Sequence, residues 1–190
     1  MLFISLTQRR YAHLRKVSRF CCVVMSICAY TAGSMEGELM KTRFVHVNIV
    51  ARNWRKLAQF YIKVFGCQLI EPERDIKEPW LESATNIKSA QIKGAHLRLP
   101  GFSNDEGPTL EIFEYDPANE NDEISANTRG FGHMAFHVEN VEEVAKEIVA
   151  QGGRALGELI KTNIKGVGWL TFQYLRDPEG NIVEVQNWQR

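Results

Sequence analysis

The stretch from Arg43 to Leu69 aligns without a gap on Gly130 to Leu156. Phe44 falls on Phe131, His46 on His133, Asn53 on Asn140, Ala58 on Ala145, Gly66 on Gly153 and Leu69 on Leu156. Later in each half, Leu110-Glu111-Ile112 answers Val183-Glu184-Val185. A chain written this way folds as one motif used twice. Repeated apolar positions are what a repeated fold requires. A repeated His on the first strand and a repeated Glu on the last are not, and both are metal-ligand types. The repeat itself therefore suggests a metal site built from two halves.

The local patterns give each half the order β-α-β-β-β. Phe44 to Ala51 alternates and is rich in Val and Ile, the signature of a strand. Asn53 is placed to cap a helix carrying Leu57, Phe60, Tyr61 and Val64, which Phe65-Gly66 closes. Cys67 to Ile70 reads as a short strand, and Glu71 to Lys88 as a polar, irregular stretch. Trp80 and Leu81 make that stretch a candidate lid or short helix. Ala90 to Leu99 and Pro108 to Tyr115 are strands joined by a turn region at 101–107. In the second half Gly132 to Val138 is a strand, and Asn140 caps a helix with Val141, Val144, Ile148 and Val149, ended by Gly152-Gly153. Arg154 to Leu156, Trp169 to Leu175 and Asn181 to Asn187 supply the remaining strands. The turn Asp177-Pro178-Glu179-Gly180 links the last two. The expected organisation is an N-terminal extension at 1–40 and a folded part at 41–190. The folded part divides into module one at 41–116, an acidic linker at 117–129 and module two at 130–190. Each module alone is too small to bury much core, so the pair should fold as one unit.

Charge is balanced over the 190 residues, but residues 1–35 hold Arg9, Arg10, Arg15, Lys16 and Arg19 and no acid. This tail reads as a secretory signal, an Arg-rich transit peptide, or an extension upstream of a start at Met35 or Met40, the last being preferred. Its apolar run, Phe20 to Ala32, falls short of the ~20 residues a membrane-spanning helix needs. Cys21, Cys22 and Cys28 lie in the tail and leave Cys67 alone in the folded part, so no disulfide framework or C-x-x-C knuckle exists there. A cytoplasmic setting fits, with an exported or organellar one if the tail is a targeting segment. No basic face with interleaved aromatics marks a nucleic-acid partner.

Strand alternation decides where the ligand types point. Val45, Val47 and Ile49 share one face, which leaves Phe44, His46 and Asn48 on the other. Met134, Phe136 and Val138 oppose His133, Ala135 and His137. Leu110 and Ile112 oppose Glu111, Phe113 and Tyr115, and Val183 and Val185 oppose Ile182, Glu184 and Gln186. Every repeated His and Glu thus sits opposite the packing face. A bare carboxylate buried there is unfavourable by several kcal/mol, and a divalent cation removes that penalty. Two imidazoles and two carboxylates suit Zn²⁺, Ni²⁺, Co²⁺, Mn²⁺ or Fe²⁺ and leave one or two positions open. His96, His137, Glu114 and Glu139 have no partner in the repeat and are read as structural, although His137 shares a face with His133 and is placed to support it.

These stretches resemble the vicinal oxygen chelate superfamily, which includes glyoxalase I, methylmalonyl-CoA epimerase, extradiol dioxygenases and the fosfomycin and bleomycin resistance proteins. The resemblance runs from Lys41 to the end. It rests on Phe44 to Ile49, Phe60-Tyr61 before Phe65-Gly66, Thr109 to Phe113, Gly130 to Phe136 and Asp177 to Glu184. It implies an α+β fold in which two tandem βαβββ modules form a curved, cup-like mixed sheet. It also implies one divalent metal held by His46, Glu111, His133 and Glu184, the four-ligand pattern of the glyoxalase I branch. Epimerases usually carry Gln at the place of Glu111, dioxygenases of this fold use two His and one Glu, and bleomycin-type binders lack the ligands. Two departures bear on substrate. Bacterial glyoxalase I has an Arg four residues after its first His and an Asn four residues after its first Glu, where this chain has Val50 and Tyr115.

The implied chemistry is a lyase or isomerase reaction, lactoylglutathione lyase-like or epimerase-like. A proton moves at a carbon next to a carbonyl through a metal-bound enediolate, with Glu184 and Glu111 as the catalytic carboxylates. Asn48, Arg52, Trp80, Phe113, Tyr115 and His137 are the candidate substrate-pocket residues. An extradiol-type dioxygenase and a non-catalytic metal or small-molecule-binding module are the alternatives. The expected partners are a small carbonyl or diol substrate and a second copy of the chain in a homodimer, with no other cofactor.

Overall fold

The computed structural model describes residues 42–102, 107–120 and 122–189. The signal, transit and extension readings of the tail fall outside these residues, as does part of the 101–107 turn. Module one runs β1 (His46–Val50), α1 (Trp54–Phe65), β2 (Gln68–Ile76), α2 (Pro79–Thr85), β3 (Gln91–Arg98) and β4 (Thr109–Asp116). Module two runs β5 (Met134–His137), α3 (Val141–Ala150), β6 (Arg154–Ala155), β7 (Ile160–Ile164), β8 (Gly168–Arg176) and β9 (Ile182–Gln189). The fold is α+β, and each module makes its own sheet. The strand orders are β1-β4-β3-β2 and β5-β9-β8-β6, with β7 added against β8. In both, the helix carries the chain from the first strand to the far edge, and the following antiparallel strands return. The last strand therefore lies parallel to the first, β4 on β1 and β9 on β5.

The helices start and stop as their sequences dictate. Asn53 accepts from the Lys56 N–H at 3.0 Å, and Asn140 accepts from the Glu143 N–H at 3.2 Å, satisfying a first-turn donor in each module. Gly66 ends α1 at φ 71°, a conformation that costs a Cβ-bearing residue energy, and its N–H returns to the Ile62 carbonyl. At the matching corner of module two, Gly153 lies against the chain. A Cβ there would sit 2.5 Å from the Arg176 carbonyl oxygen.

One apolar core serves both modules. Leu57, Ala58, Phe60 and Tyr61 of α1 meet Ala95, Leu97, Leu110 and Ile112 of the first sheet, while Val141, Ala145 and Ile148 of α3 meet Leu175, Val183 and Val185 of the second. Phe65 stacks on Phe136 with ring centroids 4.0 Å apart, carrying the core across the boundary. Burying each of these large side chains contributes roughly 1.5–3 kcal/mol. The polar tie between modules is the turn read from the sequence. Fully buried Asp177 accepts from the Tyr61 hydroxyl at 3.0 Å, from the Asn181 amide at 2.8 Å and from the Glu179 and Asn181 backbone N–H groups. Next to it, Glu179 accepts from the backbone N–H of Arg52 at 2.6 Å and of Asn53 at 2.8 Å, so module two caps the helix of module one.

Three stretches differ from the sequence expectation. β2 continues to Ile76 through a bulge between Ile70 and Arg74. It is an edge strand with mostly exposed side chains, so its hydrogen bonds to β3 carry it without apolar alternation. β7 is an additional strand, hairpinned onto β8, and its alternation is weak because Ile160 and Ile164 stay partly exposed. β5 begins at Met134, which leaves His133 immediately ahead of the strand. The short helix expected near Trp80 and Leu81 is α2.

Two outcomes follow from this packing. Tyr61→Phe removes a buried hydrogen bond to a carboxylate and should lower unfolding stability by about 1.5–3 kcal/mol in urea titrations. An unchanged transition would contradict the role given to that bond. Cys67 is buried, and burial pushes its thiol up to about 12. Iodoacetamide at about pH 8 should leave the Cys67 peptide unlabelled in the native protein and label it after unfolding, read by mass spectrometry.

Candidate metal centre

The sheet faces opposite the core carry the ligand types. On the first sheet Ile49, Leu97, Leu110 and Ile112 turn inward, and alternation sends His46, Asn48, His96 and Glu111 to the outer face. On the second, Val183, Val185 and Leu175 turn inward and Ala135, Tyr174 and Glu184 turn out. In module one the His46 Nδ1 lies 3.4 Å from Glu111 Oε1. The Asn48 amide, in register with Glu111 across β1 and β4, reaches Oε2 at 3.4 Å. In module two the His133 Nε2 lies 3.0 Å from Glu184 Oε2. The imidazoles are accessible while the carboxylates are not: side-chain exposure is 44% for His46 and 37% for His133, against 13% for Glu111 and 11% for Glu184.

A second polar residue faces each carboxylate from the neighbouring strand. His96 is the cross-strand partner of Glu111, with Nε2 3.3 Å from Oε1. Tyr174 is the cross-strand partner of Glu184, and the carboxylate bears on its phenol. Burial holds the His96 imidazole below its ordinary value, with Glu111 pulling the other way and Arg74 and His46 adding to the depression. Burial pushes the Tyr174 phenol up, and the Glu184 carboxylate adds to it. Both effects favour the uncharged forms, a neutral imidazole and a protonated phenol. Tyr174 also stands edge-on to the His133 ring at 5.0 Å and to Phe172 at 5.7 Å.

The remaining candidates divide. Asn48 is beside Glu111, as described. Phe113 is buried in a small cluster with Leu81, Ala90 and Ile92, against which Tyr115 packs, so α2 covers this end of the face. Trp80 on α2 is exposed. His137 ends β5, opposite Gln186. Arg52 is engaged elsewhere, its guanidinium on Glu120 at 2.7 Å and its backbone N–H on Glu179. Glu114, read as structural, accepts from the Trp54 N–H at 2.8 Å and so helps start α1.

The sequence reads His96 as structural and does not mark Tyr174, yet each is the cross-strand partner of a carboxylate. His96 has no counterpart in the repeat, because module two puts a Tyr at the equivalent register. Finding either residue requires knowing how β3 registers on β4 and β8 on β9, and loops set that register.

The donor chemistry suits a divalent cation. Two nearly buried carboxylates have imidazole, amide and phenol neighbours, and among the described residues neither has a Lys or Arg ion pair. Each half supplies one imidazole–carboxylate pair. Among the described residues no three His, Cys, Asp or Glu side chains converge to hold an ion. Each polar face is turned away from the shared core, so one copy of the folded unit presents two separate imidazole–carboxylate pairs.

Comparison with known proteins agrees with this architecture. The family model described as Glyoxalase/Bleomycin resistance protein/Dioxygenase superfamily matches residues 43–185, and the chain belongs to that family. Among solved structures, a glyoxalase family protein from Bacillus cereus superposes with a TM-score of 0.63 at 18% identity. The match covers 82% of this chain and 99% of the other. A glyoxylase/bleomycin resistance protein/dioxygenase domain from Frankia sp. EAN1pec superposes with a TM-score of 0.51 at 16% identity, covering 78% and 99%. At these identities the likeness is one of fold. No curated protein matches the chain. No helix among the described residues is long and apolar enough to cross a membrane.

Proposed function

We propose that this chain is a divalent-metal-dependent lyase or isomerase that moves a proton at the carbon next to a substrate carbonyl, in the manner of glyoxalase I. The observation that supports this reading is the repeated imidazole–carboxylate pair, His46 with Glu111 at 3.4 Å and His133 with Glu184 at 3.0 Å. Each pair offers two donors, and a stable site for Zn²⁺, Ni²⁺, Co²⁺, Mn²⁺ or Fe²⁺ takes both pairs. A second copy completes it, with module one of one chain facing module two of the other in a homodimer. Among the described residues neither β1 nor β5 has a strand on its second side, and Phe44, Val45 and Phe131 nearby are exposed. Unpaired edges beside exposed apolar residues are surfaces a symmetric partner covers.

A cation bound there would supply Lewis-acid polarisation of a substrate carbonyl. Glu184 removes and returns the proton. Its near-burial excludes water, and His133 and Tyr174 orient it. Glu111 stands in the same relation on the other half and serves the opposite side of the substrate. Asn48, Phe113, Tyr115 and α2 with Trp80 border the substrate on module one, and His137 supports His133 on module two. Arg52 is spoken for by Glu120, and Val50 and Tyr115 replace the residues that grip glutathione. A small carbonyl compound other than a glutathione adduct is thus the substrate this reading favours. Cys67, buried and the one cysteine of residues 41–190, goes with a reducing, cytoplasmic setting.

Protein purified without chelator should carry one stoichiometric divalent metal by mass-spectrometric metal analysis. His46→Ala and His133→Ala should lose it. Glu184→Gln should keep metal while exchange of the α-proton of α-hydroxy ketones and other small carbonyl compounds, followed by NMR in deuterated water, falls roughly 10²–10⁴-fold. Failure to bind any of the five metals after reconstitution would sink the proposal. Normal exchange in Glu184→Gln would remove Glu184 as the base.

An extradiol-type dioxygenase is the second reading, favoured by one observation. His96 stands beside Glu111 and His46, which gives module one the donor types of a two-His, one-carboxylate iron site. Oxygen uptake by Fe²⁺-loaded protein with catechols would select it over the proton-transfer reading.

A further inference from the structure

We propose that His96 is the positioning residue that holds the Glu111 carboxylate in its metal-binding orientation, a role that rests on the metal reading above. A glutamate ligand reaches its ion through three rotatable bonds, so something must fix where its oxygens lie. Glu111 is bracketed from both sides of its strand. Asn48 on β1 reaches Oε2 at 3.4 Å, and His96 on β3 faces Oε1 at 3.3 Å. Both residues are register partners of Glu111, so the sheet itself delivers them.

His96 is in turn fixed. Its ring stands edge-on to Phe113, with centroids 5.7 Å apart and planes at 80°, and 24% of the side chain is exposed. Phe113 lies flush on the bare backbone of Gly94, where an added Cβ would come within 2.2 Å of its ring. The absence of a side chain at Gly94 lets Phe113 settle low enough to buttress His96. The order is Gly94, Phe113, His96, Glu111, each placing the next.

Module two shows the same device with different chemistry. Tyr174 occupies the register position opposite Glu184 that His96 occupies opposite Glu111. A polar group aimed at the ligand carboxylate from the adjoining strand is thus present in both halves, although the residue type is not repeated. His96 serves in this proposal as a support and not as a further ligand, because what its Nε2 faces, at 3.3 Å, is the Glu111 oxygen itself.

Removing a polar neighbour that positions a metal ligand typically weakens binding 10–100-fold. The test uses the full chain, stripped of metal and titrated with Co²⁺ against a chromophoric chelator, with the visible cobalt bands recorded. His96→Ala should raise the Co²⁺ dissociation constant about 10–100-fold and shift the bands. His96→Gln, whose terminal amide reaches a similar place, should recover most of the affinity and the wild-type spectrum. Circular dichroism of the metal-free variants checks that both fold. Unchanged affinity and spectrum in His96→Ala would overturn the proposal. Loss of binding in both variants would make His96 a direct ligand and overturn it too. If the wild-type chain took up no Co²⁺, the metal reading itself would fall, and the positioning role with it.

Discussion

The hydrogen bond from the Tyr61 hydroxyl to Asp177 joins the helix of one module to the last turn of the other, and the arrangement of the whole unit depends on it. Both residues are fully buried. Burial pushes the Asp177 carboxyl up toward its neutral form, and the bonds from Asn181, Tyr61 and two backbone N–H groups offset only part of that. With its other lone pairs taken by Asn181 and the backbone of the turn, the Asp177 carboxyl holds the Tyr61 hydroxyl and ties α1 to the turn after β8. Glu179 repeats the tie on the backbone at Arg52 and Asn53, just after β1. The position of β1, and of His46 on it, is thereby referred to module two.

That lock has a consequence for the imidazole–carboxylate pairs. With the helices and the inner sheet faces shared in one core, the polar faces of both sheets must look outward. A chain that placed His46 and Glu111 inward would bury them among Leu97, Leu110 and Ile112, where no partner exists for a charge. The pattern that makes each half-site therefore also keeps it open. The glycine at position 94 and the buried Phe113 complete module one's half, and Phe172 and Tyr174 do so for module two.

Much of this was legible in the chain. Alternation sets the faces of β1, β4 and β9, the Asn53 and Asn140 caps are readable, and the repeat by itself marks both imidazole–carboxylate pairs. Edge strands were harder. β2 beyond Ile70 and all of β7 pair through backbone groups while their side chains face solvent, so hydrophobic periodicity does not mark them. Cross-strand neighbours were out of reach for a different reason. His96 stands opposite Glu111 because of the length and shape of the connection between β3 and β4, and Tyr174 differs from His96 in type, so neither periodicity nor repeat signals them. Arg52 illustrates the converse, a charged residue next to a ligand strand whose side chain is drawn off by Glu120 in the linker.

The central claim is that a complete metal site takes one half from each of two chains. Mixing tests it most directly. His46→Ala disables module one and His133→Ala disables module two, so each variant alone should bind no metal tightly. When the two are unfolded together and refolded, about half the dimers pair unlike chains, and each of these has one intact site. The metal content should then return to about a quarter of the wild-type value per chain. A mixture as empty of metal as its parents, with dimers formed, would show that each site belongs to a single chain and would contradict the account.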